Sequence, residues 1–446
     1  MLTGLRGWLE AADRRNLIRV MPAKGANMNT SASADVLVVG GGVIGLSIAW
    51  RAAQRGLRVI VADPDPGSGA SRAAAGMITP VSEAAYTERE LFRLGSESQR
   101  RYPAFTAELT ELTGEPTGYR QAGTLQVACD TDDLAVLGEY QALQESFGRP
   151  ARRLTARECR QAEPMLDPAI RGGLLAAEDA SVDPRLLTGA LLAAAGLAGA
   201  EIIRQPAAEI LIAGGAPPGA GRTGGGRAAG ALLGDGTQIL APWVVLAAGW
   251  SSGSIAGLPA GTVPPVRPVK GQILRLRSGP PGLLARSVRG IVHGSSVYLV
   301  PRESGELVIG ATQEELGADT RVTAGGVWEL LRDARAIVPG ITELELAEAV
   351  AGLRPGTPDN APVLGPSALP GLVLATGHFR AGVLLAPVTA DVISDYLTTR
   401  RMPDLAAAFG PQRFSRPPGP PAPGRSRRSE LLRAGGRAVS DEGATP

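Results

Sequence analysis

Cysteine, histidine and lysine are almost missing from this chain. Its 446 residues include two cysteines (Cys129 and Cys159), two histidines (His293 and His378) and two lysines (Lys24 and Lys270). The cysteines have no metal-ligand spacing, so no metal site is expected, and so few thiols suit a reduced, cytoplasmic setting better than a disulfide framework. Few side chains titrate near neutral pH, which leaves little material for acid–base catalysis. No apolar run approaches the roughly 18 residues of a membrane span, and the first residues lack a signal-peptide core. With 45 basic and 43 acidic residues the net charge is +2, so no global field recruits nucleic acid or a membrane.

What is present is apolar and patterned. Hydrophobic residues make up 44% and charged ones 20%, the range of a globular protein. Residues 1–34 read as an extension, with translation from Met28 an equally good start; residues 411–446, rich in Pro, Gly, Arg and Ser, read as a disordered tail. Between them DVLVV, GGGVIG, LSIAWRAAQRG and LRVIVAD give strand, glycine turn, helix and strand. Helical patterns follow at TERELFRLGSESQRRYPAFTAELTEL, DDLAVLGEYQALQESFG, PRLLTGALLAAAGLAGA and GGVWELLRDARAIV, and residues 214–230 read as a surface loop. APWVVLAAGW and LVLAT are buried strands, and SVYLVPRESGELVIGAT is a hairpin. The fold class expected is α/β: a Rossmann-type nucleotide-binding domain (about 35–115, 180–265 and 345–405) interwoven with an antiparallel-sheet α+β substrate domain (about 116–179 and 266–344).

Gly40, Gly42 and Gly45 form GxGxxG after a strand and at the head of a helix. The first glycine permits the tight turn, the second lets backbone approach a pyrophosphate and the third lets helix pack on strand. Asp63, at the end of the second strand, is placed to accept ribose hydroxyls and disfavours a 2′-phosphate. These features alone do not separate NAD from FAD.

The segment PDPGSGASRAAAGMITP does separate them. It resembles the second flavin-contacting loop of the D-amino-acid oxidase family, and AS-x-AAAGM is most similar to that family's glycine oxidase branch, associated with thiamine biosynthesis. GTLQVA, EDASVDPRLL, VVLAAGWSS, PVKGQ, VYLVPRESGELVIGAT, GLRPGTPDNAPVLG and GHFRAGVLLAP extend the resemblance, in order, over about residues 35–410. The resemblance implies that Gly40, Gly42, Gly45 and Asp63 hold the ADP half of a noncovalent FAD, with Ser71 and Arg72 near the pyrophosphate. It places Ala74, Gly76 and Met77 beside the flavin ring, Ala208 by the adenine, and Ala248, Gly249 and Trp250 at the flavin-side turn. In the GHFRAG segment, Gly377, His378, Gly382, Val383 and Leu384 would line the pyrimidine edge, with His378 as readily a strand-end cap.

For the substrate, the resemblance implies that Arg354 and Tyr298 grip a small amino acid's carboxylate, a group that suits a guanidinium fork. Arg380 would add positive charge at the pocket mouth. Residue by residue the bland alternatives are an Arg354–Asp359 pair, a half-buried strand tyrosine, and for His293 a solvated turn rather than a pocket wall. Lys270 either anchors the flavin-proximal strand or buries its stem with its head in water. The implied reaction is hydride transfer from glycine, sarcosine or a small D-amino acid to the flavin, with dioxygen reduced to hydrogen peroxide and the imine passing to thiazole formation. A homo-oligomer, such as a tetramer, is implied as well. The competing readings are a D-amino-acid dehydrogenase feeding a quinone or carrier, and a flavin-binding subunit without turnover.

Overall fold

The computed structural model describes residues 31–214, 226–279 and 282–414. A six-stranded sheet runs in the order Val363–Pro366, Leu372–Thr376, Trp243–Leu246, Val36–Val39, Val59–Ala62 and Glu201–Ile203. All its pairings are parallel except that between its first two strands. Its strands are apolar throughout because both faces are covered. Val36 and Val38 face the helices Val43–Gln54, Arg89–Thr113, Pro184–Leu197 and Gly382–Thr399. Leu37 and Val39 face a four-stranded sheet of Ser31–Ser33, Gln238–Leu240, Arg227–Leu233 and Ala207–Ala213.

The second large sheet has eight strands, in the order Glu345–Gly356, Arg267–Arg277, Glu306–Gly310, Ser295–Pro301, Ser287–Val292, Thr124–Ala128, Gly172–Ala176 and Arg152–Thr155. It is antiparallel except for one parallel pairing, Ser287–Val292 with Thr124–Ala128. Residues 345–356, read from sequence as nucleotide-domain material, form its edge strand. Because side chains alternate along a strand, the sheet has two distinct faces. Leu125, Val288, Leu299, Ile309 and Leu274 pack under the helix Ala324–Ile337. Gln126, Arg289, Tyr298, Gly310, Ile273 and Val350 form one rung across six strands on the other face.

The ends differ from the sequence reading in detail. Ser31–Ser33 already pairs in parallel with Gln238–Leu240, and Pro411–Phe414 forms a 3-10 turn whose Phe414 packs on the core. Of the expected loop, residues 227–230 belong to a strand, and 215–225 lie outside the described residues, as do 1–30 and 415–446. Among the described residues no helix is long and apolar enough to cross a membrane.

The helix Gly382–Thr399 contains Pro387, which has no N–H for the Val383 carbonyl one turn back. Tyr102 Oη donates to that carbonyl at 2.5 Å instead, and Ser98 Oγ donates to Leu384 O at 2.6 Å. The long helix thus repairs the break and fixes the start of the closing helix. An unpaired buried carbonyl there would cost about 1–3 kcal/mol.

Candidate active site

The glycine turn is closed by its own backbone. Gly40 has φ +107°, and a Cβ there would lie 2.5 Å from Ala247 O. At Gly45 a Cβ would lie 1.8 Å from Gly40 O, so strand and helix touch backbone to backbone. The helix starts at Gly42 without a side-chain cap. Asp63 Oδ2 accepts from Gly41 N–H at 2.7 Å and its Oδ1 from Asp65 N–H at 2.8 Å, which fixes the carboxylate beside the turn. Ser71 Oγ accepts from Val43 N–H at 3.0 Å and ties in the following loop. Helix-start amides, a bare glycine surface and a held carboxylate fit the phosphates and ribose of a dinucleotide.

The AAAGM loop lies against the polar face of the eight-stranded sheet. Arg72 points its side chain outward, while its carbonyl accepts from Arg185 Nε at 3.2 Å and Arg275 Nη2 at 3.4 Å. Ala74 ends the short helix Gly69–Ala73, and Gly76 is left-handed at φ +76°. Ala75, Met77, Tyr298, Ile273 and Val350 share one apolar cluster, which brings this loop onto the tyrosine's strand. Arg302 is buried and donates to Val182 O at 2.8 Å and to Ala75 O, binding loop and sheet together. Burial lowers its pKa to about 10.

Arg354 and Tyr298 meet although they stand on non-adjacent strands. Arg354 Nη1 donates to Thr312 O at 3.1 Å and Lys270 O at 3.3 Å. Its guanidinium lies over Gly271, and the Tyr298 ring lies over Gly310, so both seats require a residue without a side chain. The two side chains lie close enough for the Arg354 charge to act on the Tyr298 hydroxyl. Burial raises the Tyr298 pKa, and the nearby Arg354 charge pulls the other way, so the hydroxyl is a neutral donor near pH 7. Asp359, the bland partner for Arg354, is instead held by Arg413 Nε at 2.7 Å. The strand that carries Arg354 packs against Gly69–Ala73, Gly249–Ser254 and Phe379–Ala381. The Arg354 strand therefore meets all three of the flavin-side segments picked out from sequence.

The remaining sequence candidates fall as follows. Ala248, Gly249 and Trp250 are half-buried where the strand Trp243–Leu246 ends, and Thr376 Oγ1 donates to Gly249 O at 2.9 Å. Ala208 lies at a register shift of an exposed strand, with its carbonyl accepting from Ala256 N–H at 3.2 Å. Gly377 is left-handed at φ +71°, and Gly382, Val383 and Leu384 open the closing helix. His378 is buried, with Nε2 at 3.1 Å from Thr389 Oγ1, and burial lowers its pKa to about 3, which keeps it neutral. Arg380 is on the surface side, its Nη2 2.9 Å from Glu88 Oε2.

Two sequence alternatives are corrected. Lys270 does not keep its head in water: the side chain is 0% exposed, with Nζ 2.9 Å from Asp319 and 3.3 Å from Glu314. His293 is not a pocket residue. It sits with Gly294 at the tip of a two-residue hairpin turn, both at positive φ, with its side chain 78% exposed and Nδ1 3.0 Å from Asp130. Sequence reading also missed Arg289 and Arg302. Neither carries a local signal, because Glu83, Ala75 and Val182 lie 120 or more residues away.

Residues 35–396 match the family model for DAO, the FAD dependent oxidoreductases. The chain is 34% identical over 366 residues to a glycine oxidase from Geobacillus kaustophilus, covering 81% of this chain and 92% of that one. It is also 34% identical over 386 residues to the bifunctional protein ThiO/ThiG of Trichormus variabilis, covering 86% of this chain but 55% of that one, so it spans about half that relative's length. The crystal structure of the Geobacillus kaustophilus glycine oxidase superposes with a TM-score of 0.77 at 33% identity, over 86% of this chain and 99% of that one. The chain therefore belongs to the DAO family of FAD-dependent oxidoreductases.

Proposed function

We propose that the protein oxidises glycine, and with it other small amines such as sarcosine, to the imine while dioxygen is reduced to hydrogen peroxide. The imine would then supply thiazole formation in thiamine biosynthesis. The observation that carries this reading is the Arg354–Tyr298 pair, seated over Gly271 and Gly310 where the sheet meets the AAAGM loop and the start of the closing helix.

Gly40, Gly42, Gly45 and Asp63 would hold the ADP half of FAD, with Ser71 and Arg72 near its pyrophosphate and Ala74, Gly76, Met77 and the 377–384 segment beside its ring. Bound there, FAD would supply a two-electron acceptor for the α-carbon hydride and a route for those electrons to dioxygen. The chain's own contribution is positioning. Arg354 presents a flat fork to the carboxylate, and the Tyr298 hydroxyl donates a second contact. The free amine gives up its proton as the imine forms, and the histidines offer no base for it. His378 is buried, neutral and engaged with Thr389, and His293 is on an exposed turn. Helix-start amides near Val383 and Leu384 would face the charge that gathers on reduction.

The placement of the two thiols supports a noncovalent attachment. Cys159 is buried in the apolar cluster beneath the helix Ala324–Ile337 and Cys129 packs against that cluster; burial raises their pKa values to about 11 and about 12.

The test is anaerobic mixing of the yellow protein with a panel of glycine, sarcosine, D-alanine and D-proline. Bleaching by glycine, followed in air by one peroxide per turnover, is the expected result. Bleaching without peroxide in air would assign the electrons to another carrier, and a flavin that no amine bleaches would overturn the reading.

A further inference from the structure

Three arginines, Arg354, the Tyr298 cross-strand partner Arg289, and Arg380 on the turn that meets the Arg354 strand, differ in what holds them. Arg380 is paired with Glu88 at 2.9 Å, and Arg289 Nη1 with Glu83 Oε1 at 2.5 Å. Arg354 is held by neutral groups, two backbone carbonyls, which orient its charge without cancelling it.

The Glu83–Arg289 pair is close to the substrate corner on two independent counts. Arg289 is the cross-strand partner of Tyr298, on the same face of the sheet, so their Cβ atoms are about 5 Å apart. Both charges of the pair act on the Tyr298 hydroxyl along with that of Arg354. Glu83 in turn lines a cleft with Pro80, Glu88, Phe92, Arg380 and Leu384, between the 80–88 segment and the start of the closing helix. The pair is mostly shielded, with side-chain exposures of 18% for Arg289 and 19% for Glu83. Glu83 is held in place from below: Ser82 Oγ donates to Asp179 at 2.6 Å and Gln126 Nε2 to Ser82 O at 3.1 Å.

We infer that Glu83 is a specificity-determining residue, which restricts the pocket to amines bearing a single carboxylate. It does so by cancelling the charge of Arg289, which would otherwise form a second anion site next to Tyr298. A substrate with one carboxylate needs no anion site beyond Arg354 and the Tyr298 hydroxyl. A second carboxylate, as in an N-carboxymethyl amine, meets Glu83 in a shielded setting where like charges repel strongly and Arg289 is already taken. This rests on the proposed amine oxidation, whose substrate class it narrows.

The experiment compares kcat/KM for glycine, sarcosine and iminodiacetate in the holoenzyme and in Glu83→Gln, which keeps an acceptor for Arg289 but removes the charge. The iminodiacetate-to-glycine ratio is expected to rise at least tenfold, and the sarcosine-to-glycine ratio to move by less than threefold, because sarcosine adds bulk without charge. In Glu83→Gln/Arg289→Gln the gain should vanish, and in Arg289→Gln alone the ratio should fall below wild type. An unchanged ratio in Glu83→Gln, or a gain that survives loss of Arg289, overturns the inference. Should Glu83→Gln fail to retain flavin, Arg289→Gln carries the test, and an unchanged ratio there overturns it too. If wild type leaves glycine unoxidised, the functional reading falls by itself. The inference is then read from binding of malonate against acetate, seen as perturbation of the flavin band: Glu83→Gln should gain malonate affinity selectively, and equal effects on both anions would overturn it.

Discussion

The guanidinium of Arg354 lies directly above Gly271: a Cβ at residue 271 would fall 2.4 Å from both of its terminal nitrogens. The two residues are close across adjacent strands, since Val269 pairs with Arg354 and Gly271 with Gly352. A methyl group at 271 therefore meets the flexible end of a side chain, not backbone, and the fold can yield by letting the guanidinium swing away from Thr312 O and Lys270 O. Gly271→Ala should raise KM for glycine at least tenfold, about 1.4 kcal/mol or more, with flavin content kept and Tm changed by little. Steady-state kinetics beside a thermal melt checks this, and a collapse in Tm with KM unaltered would contradict it.

The glycines of the nucleotide turn separate fold from ligand. At Gly45 an added Cβ would sit 1.8 Å from the Gly40 carbonyl, and neither backbone can retreat. At Gly42 the nearest atom would be Ser71 Oγ at 3.2 Å, which needs a shift of only a few tenths of an ångström. Gly45→Ala should give little folded protein. Gly42→Ala should fold but bind FAD weakly, because the methyl occupies the surface that a pyrophosphate approaches. Apoprotein melts and FAD titration distinguish these; equal behaviour of the two variants would be wrong for this geometry.

How much of this was readable in the sequence follows from the range of each interaction. The strand, glycine turn, helix and Asp63 lie within some thirty consecutive residues, so their pattern announces their contacts. The hairpin that carries Tyr298 was equally local, with its turn between Pro301 and Glu306. Lys270 was ambiguous because its partners, Asp319 and Glu314, come from a different segment. Arg289 gave no signal at all, since Glu83 is 206 residues away in the chain. Residues 345–356 were read with the wrong neighbours for a related reason: an apolar strand shows its burial but not the sheet it joins.

Lys270 holds the wall behind Arg354. Its ammonium joins Asp319 and Glu314, and Glu314 also accepts from Thr312 Oγ1 at 2.6 Å, whose residue's carbonyl receives Arg354. Lys270→Met would remove the shared cation from Glu314 and leave Asp319 with Arg321 alone, so a measurable loss of stability is expected. Because the same segment positions Arg354, KM for glycine should rise alongside. Urea unfolding and kinetics on one preparation check both, and a variant as stable as wild type would show that the pair contributes nothing.

Asp179 gives the stability profile its pH dependence. It is fully buried, with Ser82 Oγ donating to one oxygen at 2.6 Å and the other oxygen without a partner among the described atoms. Burial raises its pKa to about 7, against about 3.9 in an unfolded chain. The native state therefore holds a proton that the unfolded state releases. The resulting stability is complete below about pH 3.9 and is lost as pH rises toward 7, by something on the order of 4 kcal/mol. His378 acts with the opposite sign: its pKa is lowered to about 3, so stability is gained as pH rises from about 3 to 6.5. Asp179→Asn retains an acceptor for Ser82 and cannot ionise, which removes the first effect and leaves the second. The variant should melt close to wild type at pH 5 and a few degrees above it at pH 8. Melting curves across that interval test the assignment, and a difference in Tm that stays constant with pH would place the titrating group elsewhere.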